Sequence, residues 1–420
     1  MTNDVKNIPE LRFPEFSSEW IEKRLGDIGE FKNGLNKDKT EFGFGVPFVN
    51  LNDVFSNIPI VKENLSLVNA NDKEIKDYNL VQGDTLFIRS SVKPSGVGLT
   101  KVIINNDFIN TVYSGFLIRY RNFEKYNIDN NFKKYIFNSK SVRKQVIRQS
   151  TSSANTNINQ EELKLIKINM PPTVEQQKIG EFFSKLYRQI ELEEQKLAKL
   201  EEQKKGYMQK IFSQELRFKN ENGNNYPDWE VKKIGEIMDV ASVKRIHQSD
   251  WTNEGVRFIR ARDIVSRYKG KIVEDPLFIS KERYEEYSKL SGKVKIGDLL
   301  VTGVGTIGVP LLINNEKPIY FKDGNIIWLK NEDNIDKNFL FYSFISRKTQ
   351  NFIKSVAGIG TVGTYTISNA KKTPILLPVS IEQVKIGNFF NELDKSIKKQ
   401  NKKVDLLKER KKGFLQKMFV

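Results

Sequence analysis

At 420 residues the chain has length for two or three domains with real cores, while zero cysteines and a single histidine, His247, exclude disulfides, thiolate metal sites and a repeated histidine centre. Lys and Arg exceed Asp and Glu by 17, which favours a polyanionic partner, because each neutralised phosphate releases a condensed counterion. No apolar run is long enough for a bilayer and the N-terminal MTNDVKNIPELRF lacks a signal-peptide core, so a cytoplasmic protein without membrane contact is expected.

In chain order, everything occurs twice. PELRFPEFSSEWIEKRLGDIGEF near the start is echoed in mid-chain by QELRFKNENGNNYPDWEVKKIGEI, with Leu11-Arg12-Phe13 matched to Leu216-Arg217-Phe218 and Trp20 to Trp229. GVPFVNLNDV (45–54) then matches GVRFIRARDI (255–264), read as an alternating strand followed by a polar turn. VQGDTLFIRSS (81–91) matches KIGDLLVTGVG (295–305), a Gly-Asp turn leading into an apolar strand. FLIRY (116–120) and IIWLK (326–330) are predicted strands, and 127–140 and 334–347 begin predicted helices. Each is followed by a polar, small-residue loop, TSSANTN (151–157) or AGIGTVGT (357–364). Each half therefore reads as a mixed α/β domain closed by a long helix.

Those long helices are 173–212 and 380–419, superposed by a shift of 207 positions that brings Glu175 onto Glu382, Gly180 onto Gly387 and Phe212 onto Phe419. Prolines 171, 172 and 378 stop the preceding segments, and Thr173 with Gln176, or Ser380 with Gln383, has the pattern of a capping box. Leu186, Ile190, Leu197, Leu200 and Tyr207 (then Ile211) fall on a heptad seam, as do Leu393, Ile397, Val404, Leu407 and Phe414 (then Met418). Polar positions interrupt both seams at Glu193 and Gln400 and at Lys204 and Lys411. An amphipathic helix lying on its own domain would give the same stripe, but two seams of equal length can bury each other as a coiled coil within the chain.

The motifs point away from catalysis. Gly303 to Gly308 fits GxGxxG, yet a dinucleotide site needs those glycines to open a helix, and Val309-Pro310-Leu311-Leu312-Ile313 reads as another strand. Pro227-Asp228-Trp229-Glu230-Val231-Lys232 reads as a segment leading into the domain with a buried Trp, since its carboxylates are two residues apart and the first copy lacks the aspartate. A basic helix over 133–149 offers Lys133, Lys140, Arg143, Lys144 and Arg148 to phosphate, or simply to water. The halves differ most in their loops, as two readers of different targets would. Candidate base readers are Asn50, Asn52, Arg89 and Lys93 in the first half and Arg260 and Arg262 in the second, because Arg and Lys suit guanine edges and Asn suits adenine. Polar neighbours complete the DNA-contacting set: Ser91, Asn155 and Asn157, then Lys244, Arg245, Thr302, Thr306, Thr361 and Thr364.

LRFPEF, the doubled GDTLF and GDLLV, the NTNIN loop (155–159), and above all the paired PPTVEQQKIGEFF and PVSIEQVKIGNFF resemble the specificity subunit of type I restriction-modification enzymes over nearly the whole chain. The resemblance implies an α+β fold with two mixed α/β target-recognition domains in tandem, each followed by a long helix, the helices forming an antiparallel coiled coil with internal pseudo-two-fold symmetry. The divisions would be 1–170, first recognition domain; 171–212, central spacer helix; 213–377, second recognition domain; and 378–420, C-terminal spacer helix. It also implies that each domain contacts one half of a split double-stranded DNA target, and that the chain has no catalytic or metal-binding residue of its own. S-adenosylmethionine would bind two methyltransferase subunits, and ATP and Mg restriction subunits. Lys219-Asn220-Glu221 replaces Pro-Glu-Phe after the second LRF, a departure confined to a connector. Rival readings are a DNA-acting nuclease or methyltransferase with an unrecognised active site, and a coiled-coil protein scaffold.

Overall fold

Short apolar runs flanked by turn residues become the central strands, and the long heptad-patterned segments become unbroken helices. A computed structural model describes residues 7–56, 59–152, 155–357 and 363–420. The chain divides into two compact units, Met1–Glu194 with Lys402–Val420, and Gln195–Asn401. None of the described helices is long and apolar enough to cross a membrane.

The first unit holds an antiparallel sheet in the order Gly29–Asn33, Leu117–Asn122, Thr85–Ile88, Thr100–Val102. Beside it Ser66–Val68, Phe42–Val49 and Val112–Tyr113 form a second sheet, its last pair parallel. Ile21–Arg24 pairs with Lys167–Met170. In the second unit the equivalents are Asp239–Ala241, Ile326–Lys330, Leu299–Thr302 and Pro310–Leu312; then Leu277–Ile279, Val256–Ile259 and Ile319–Phe321 with an added edge at Trp251–Thr252; and Glu230–Lys233 with Pro374–Leu377. The duplication is thus one topology twice.

Both Gly-Asp turns have a shared cause. The Asp84 carboxylate is fully buried, accepts the Val81 amide at 2.8 Å and takes a two-pronged ion pair from Arg121 at 2.6 and 2.7 Å. Asp298 accepts Lys295 N, Trp328 Nε1 and Asn331 N at 2.8, 2.9 and 3.0 Å. Buried carboxylates need such partners.

The long helices are Thr173–Phe212 and Ser380–Lys417, and each contributes its two ends to different units. In the first unit Leu186 and Ile190 pack with Leu407, Phe182 meets Phe414 at 5.1 Å, and Glu193 pairs with Lys403 at 2.5 Å, so the two helices run antiparallel. In the second unit Tyr207 stands edge-on to Phe389 at 5.1 Å and Lys204 pairs with Asp394 at 2.6 Å. Leu393 packs at the edge of that unit's core, Val404 is buried, and Leu197, Leu200 and Ile397 are half-buried. Of the polar seam positions, Glu193 and Lys204 therefore carry cross-helix ion pairs, and Lys411 lies 4.1 Å over the Tyr187 ring. Aromatic boxes close both cores: Phe419 lies against Trp20, Phe132 and Phe183, and Phe212 against Trp229, Phe339 and Phe390.

Three local expectations are corrected. The capping boxes do not form, because each helix already takes a hydrogen bond at Pro172 O or Val379 O. Gln176 and Gln383 instead turn inward, donating to Pro171 O and Pro378 O and accepting the amides of Asp129 and Asp336. Those aspartates cap neighbouring helices, and a Cβ on Gly180 or Gly387 would fall 2.7 or 2.4 Å from their oxygens, so only glycine permits the approach. The polar turns after 45–49 and 255–259 are short helices, Leu51–Phe55 and Ala261–Tyr268. The basic helix is two, Asn130–Ile136 and Lys140–Gln149, broken where Ser139 caps the second.

Candidate nucleic-acid interface

In the first unit, strand Thr85–Ile88 delivers Arg89, whose main chain is held on both sides by Phe116 O and Ile158 N. Ser90–Ser91 then pairs with Thr156–Asn157, which pairs with Thr151–Ser152, so the sheet sets Ser91 and Asn157 beside Arg89 and Lys93. The Arg89 side chain is exposed and, among the described residues, makes only a long 3.4 Å bond to Gly115 O, and Lys93 is exposed. Asn155 is exposed and accepts the half-buried Asn157 amide through its carbonyl at 3.0 Å. Arg143 braces this surface from beneath, donating to Val97 O at 2.6 Å and Ser95 O at 2.9 Å. Helix Leu51–Phe55 abuts it, the Phe55 ring lying 3.1 Å from where a Cβ on Gly96 would stand. Asn52 is exposed on that helix, whereas the Asn50 carbonyl oxygen caps it, accepting Leu51 N at 2.7 Å.

In the second unit the candidates separate by what they already hold. Arg262 is 62% exposed and, among the described residues, pairs only with the still more open Asp275. Arg260 is 16% exposed, bonded to the buried Asp263 at 3.0 Å and to Asp275 O at 2.6 Å. It is a brace for the start of helix Ala261–Tyr268 and not a free reader. Thr302 is likewise corrected: it is fully buried, its hydroxyl donating to Thr306 O at 2.5 Å and accepting Val309 N at 2.9 Å. It closes the glycine turn between antiparallel strands Leu299–Thr302 and Pro310–Leu312, the strand-to-strand turn expected of GxGxxG here. Thr306 is exposed on that turn, and a bridge from Val304 brings exposed Thr364 beside it; Thr361 lies outside the described residues. Lys244 sits 4.1 Å over the Tyr287 ring, and Arg245 is 66% exposed with Asp323 at 2.8 Å. His247 is exposed.

Two of the basic candidates over 133–149 are spent on the fold. Lys133 is fully buried, donating to Gly83 O at 2.8 Å and Asn122 Oδ1 at 2.5 Å, and burial pushes its pKa down to about 8. Arg143 is the brace above, its pKa also lowered by burial. Lys140, Lys144 and Arg148 remain exposed. Sequence reasoning missed Arg267, Lys269 and Lys271, all exposed after Arg262 with Tyr268 between them. The signal was present as RYKGK; the first-half counterpart after Leu51–Phe55 has no such run. No group of His, Cys, Asp and Glu fit for a metal ion occurs among the described residues.

The arrangement offers two differently charged polar surfaces on one topology. The sequence model of the family described as "Type I restriction modification DNA specificity domain" matches residues 17–202 and 226–408. The type I restriction enzyme MjaVIII specificity subunit of Methanocaldococcus jannaschii is 26% identical over 301 residues, 67% of this chain and 68% of that protein. The putative MjaX specificity subunit of the same organism is 25% identical over 98% of this chain and 95% of its own length. The crystal structure of a type I restriction-modification S subunit from M. genitalium shares the fold with a TM-score of 0.56 at 15% identity, covering 98% of this chain and 99% of that one.

Proposed function

Because this chain belongs to the type I restriction-modification DNA specificity family, whose named relatives are specificity subunits and not the catalytic ones, we propose that it reads a split duplex target, one half-site per unit. The observation that carries this reading is the contrast between matched segments of the two units: exposed Arg89 and Lys93 follow strand Thr85–Ile88 where exposed Thr306 and Thr364 follow Leu299–Thr302, and exposed Asn52 follows Phe42–Val49 where exposed Arg262, Arg267, Lys269 and Lys271 follow Val256–Ile259. A duplicated frame with divergent surface chemistry suits two different half-sites. Catalysis then belongs to partners: two methyltransferase subunits that bind S-adenosylmethionine, and restriction subunits that use ATP and Mg. The experiment is to express the chain with its methyltransferase subunit and sequence the methylated sites. A single target of two short blocks separated by unspecified bases is expected; a contiguous target, or methylation without the chain, refutes the proposal.

A further inference from the structure

Single exposed aliphatic side chains are ordinary on a protein surface. Their placement here is not. Among the described residues the two most exposed large hydrophobic side chains are Ile272 at 89% and Val92 at 82%. One lies in the candidate interface of each unit. Val92 stands between Ser91 and Lys93, just before the turn Pro94–Gly96 that Arg143 braces. Ile272 follows a helix stop of defined geometry: Lys271 N donates to Ser266 O at 2.8 Å, Gly270 N to Arg267 O at 3.0 Å, and Gly270 takes φ 68°. Glycine alone takes that left-handed conformation without strain, so the chain leaves helix Ala261–Tyr268 in a fixed direction at Ile272.

Both side chains are β-branched and already restricted at χ1, so ordering them against a ligand costs little entropy. Both have exposed cations close in sequence: Arg89 and Lys93 on either side of Val92, and Arg267, Lys269 and Lys271 before Ile272. An apolar tip inside a basic surface is complementary to a duplex, whose rim is phosphate and whose interior is stacked bases; aliphatic residues inserted at a base step unstack and bend it.

We propose that Val92 and Ile272 are apolar wedges, one per unit, each pressed against the base stack of its own half-site while neighbouring cations hold the phosphates. The proposal rests on the reading of the chain as a DNA specificity subunit. It is tested with the complex of full chain and methyltransferase subunit on the target found by sequencing, carrying 2-aminopurine at successive positions other than the methylated base. Fluorescence is expected to rise at one step in each half-site. Ile272→Ser is expected to abolish the rise in its half-site only, and Val92→Ser in the other. Each should weaken specific binding about tenfold with an unchanged salt slope, because no charge is removed. Lys271→Gln should instead lower the slope, and Val231→Ser, exposed on strand Glu230–Lys233, should change nothing. Variants that bind within about twofold of the parent, or lose equally on duplexes lacking the half-site, overturn the wedges. A parent complex with no target preference overturns the specificity reading itself, and that arm is scored first.

Discussion

Arg260 and Arg262 differ by two positions and by their remaining hydrogen-bonding capacity, since the first is held between Asp263 and Asp275 and the second is 62% exposed. Arg262→Ala is expected to weaken recognition of one half-site by roughly 1 to 3 kcal/mol while the melting temperature holds. Arg260→Ala should lower the melting temperature, because Asp263, 2% exposed, loses its principal cation. Filter binding beside calorimetry separates the two; equal losses at both half-sites from Arg262→Ala would assign it to general phosphate contact. Lys133 gives a pH test. Its pKa falls from the usual 10.5 to about 8 on folding, so its charge opposes folding most fully below pH 8 and the penalty fades as pH rises towards 10.5. Between pH 7.5 and 9.5 the parent should gain roughly 2 kcal/mol relative to Lys133→Met, measured by denaturant unfolding.

At the scale of elements, each long helix is anchored at its start by a buried carboxylate. Glu175 accepts Arg12 Nε and Nη2, each at 2.7 Å, and Trp20 Nε1 at 3.3 Å, and Glu382 repeats this with Arg217 and Trp229. This accounts for the doubled LRF, Trp and VEQ or IEQ motifs as one lock. Glu175→Ala strands the guanidinium and indole donors and is expected to cost roughly 3 to 5 kcal/mol in chemical denaturation. The helix ends are interchangeable in kind, since Ile211-Phe212 and Met418-Phe419 seal equivalent cores. A fragment of residues 1–212 lacks the second pair but carries the first, so two copies should exchange helix ends and form a homodimer. Sedimentation should show a dimer that Phe212→Ala weakens; a folded monomer would count against the pairing.

For the whole molecule, a net charge of +17 and exposed cations in both units lead to strongly salt-dependent DNA binding. About six phosphate contacts would reduce affinity roughly a thousandfold between 50 and 200 mM salt, which titration measures directly. Each long helix runs unbroken from one unit into the other. Adding a heptad between Leu197 and Leu200 and another between Val404 and Leu407 keeps the apolar register and adds about 10 Å to each helix, the rise of about three base pairs. The same step turns the second half-site by roughly 100° about the duplex. Either the preferred spacer grows by that amount or binding fails; a folded variant that keeps the original spacer would show that the helices do not set it.

The amino-acid order alone determined the duplication, the two long helices with their seam, the Gly-Asp strands and the strand-to-strand glycine turn. These are recorded in local patterns: a 3.5-residue period, turn residues beside apolar runs, and identities at constant spacing. What a polar side chain has left to offer is not local. Gln176 and Gln383 match a cap pattern yet bind Asp129 and Asp336, each 47 residues earlier. Arg143 matches a solvated basic face yet holds carbonyls 46 and 48 residues away. Lys133, on an apparently basic helix, is consumed by Gly83 and Asn122, and Thr302, which looks like a loop hydroxyl, is enclosed by the turn that follows it. The tertiary structure alone decided these cases, because burial and hydrogen-bond satisfaction depend on which distant groups converge on a side chain, and a donor already paired inside the fold has nothing left for DNA.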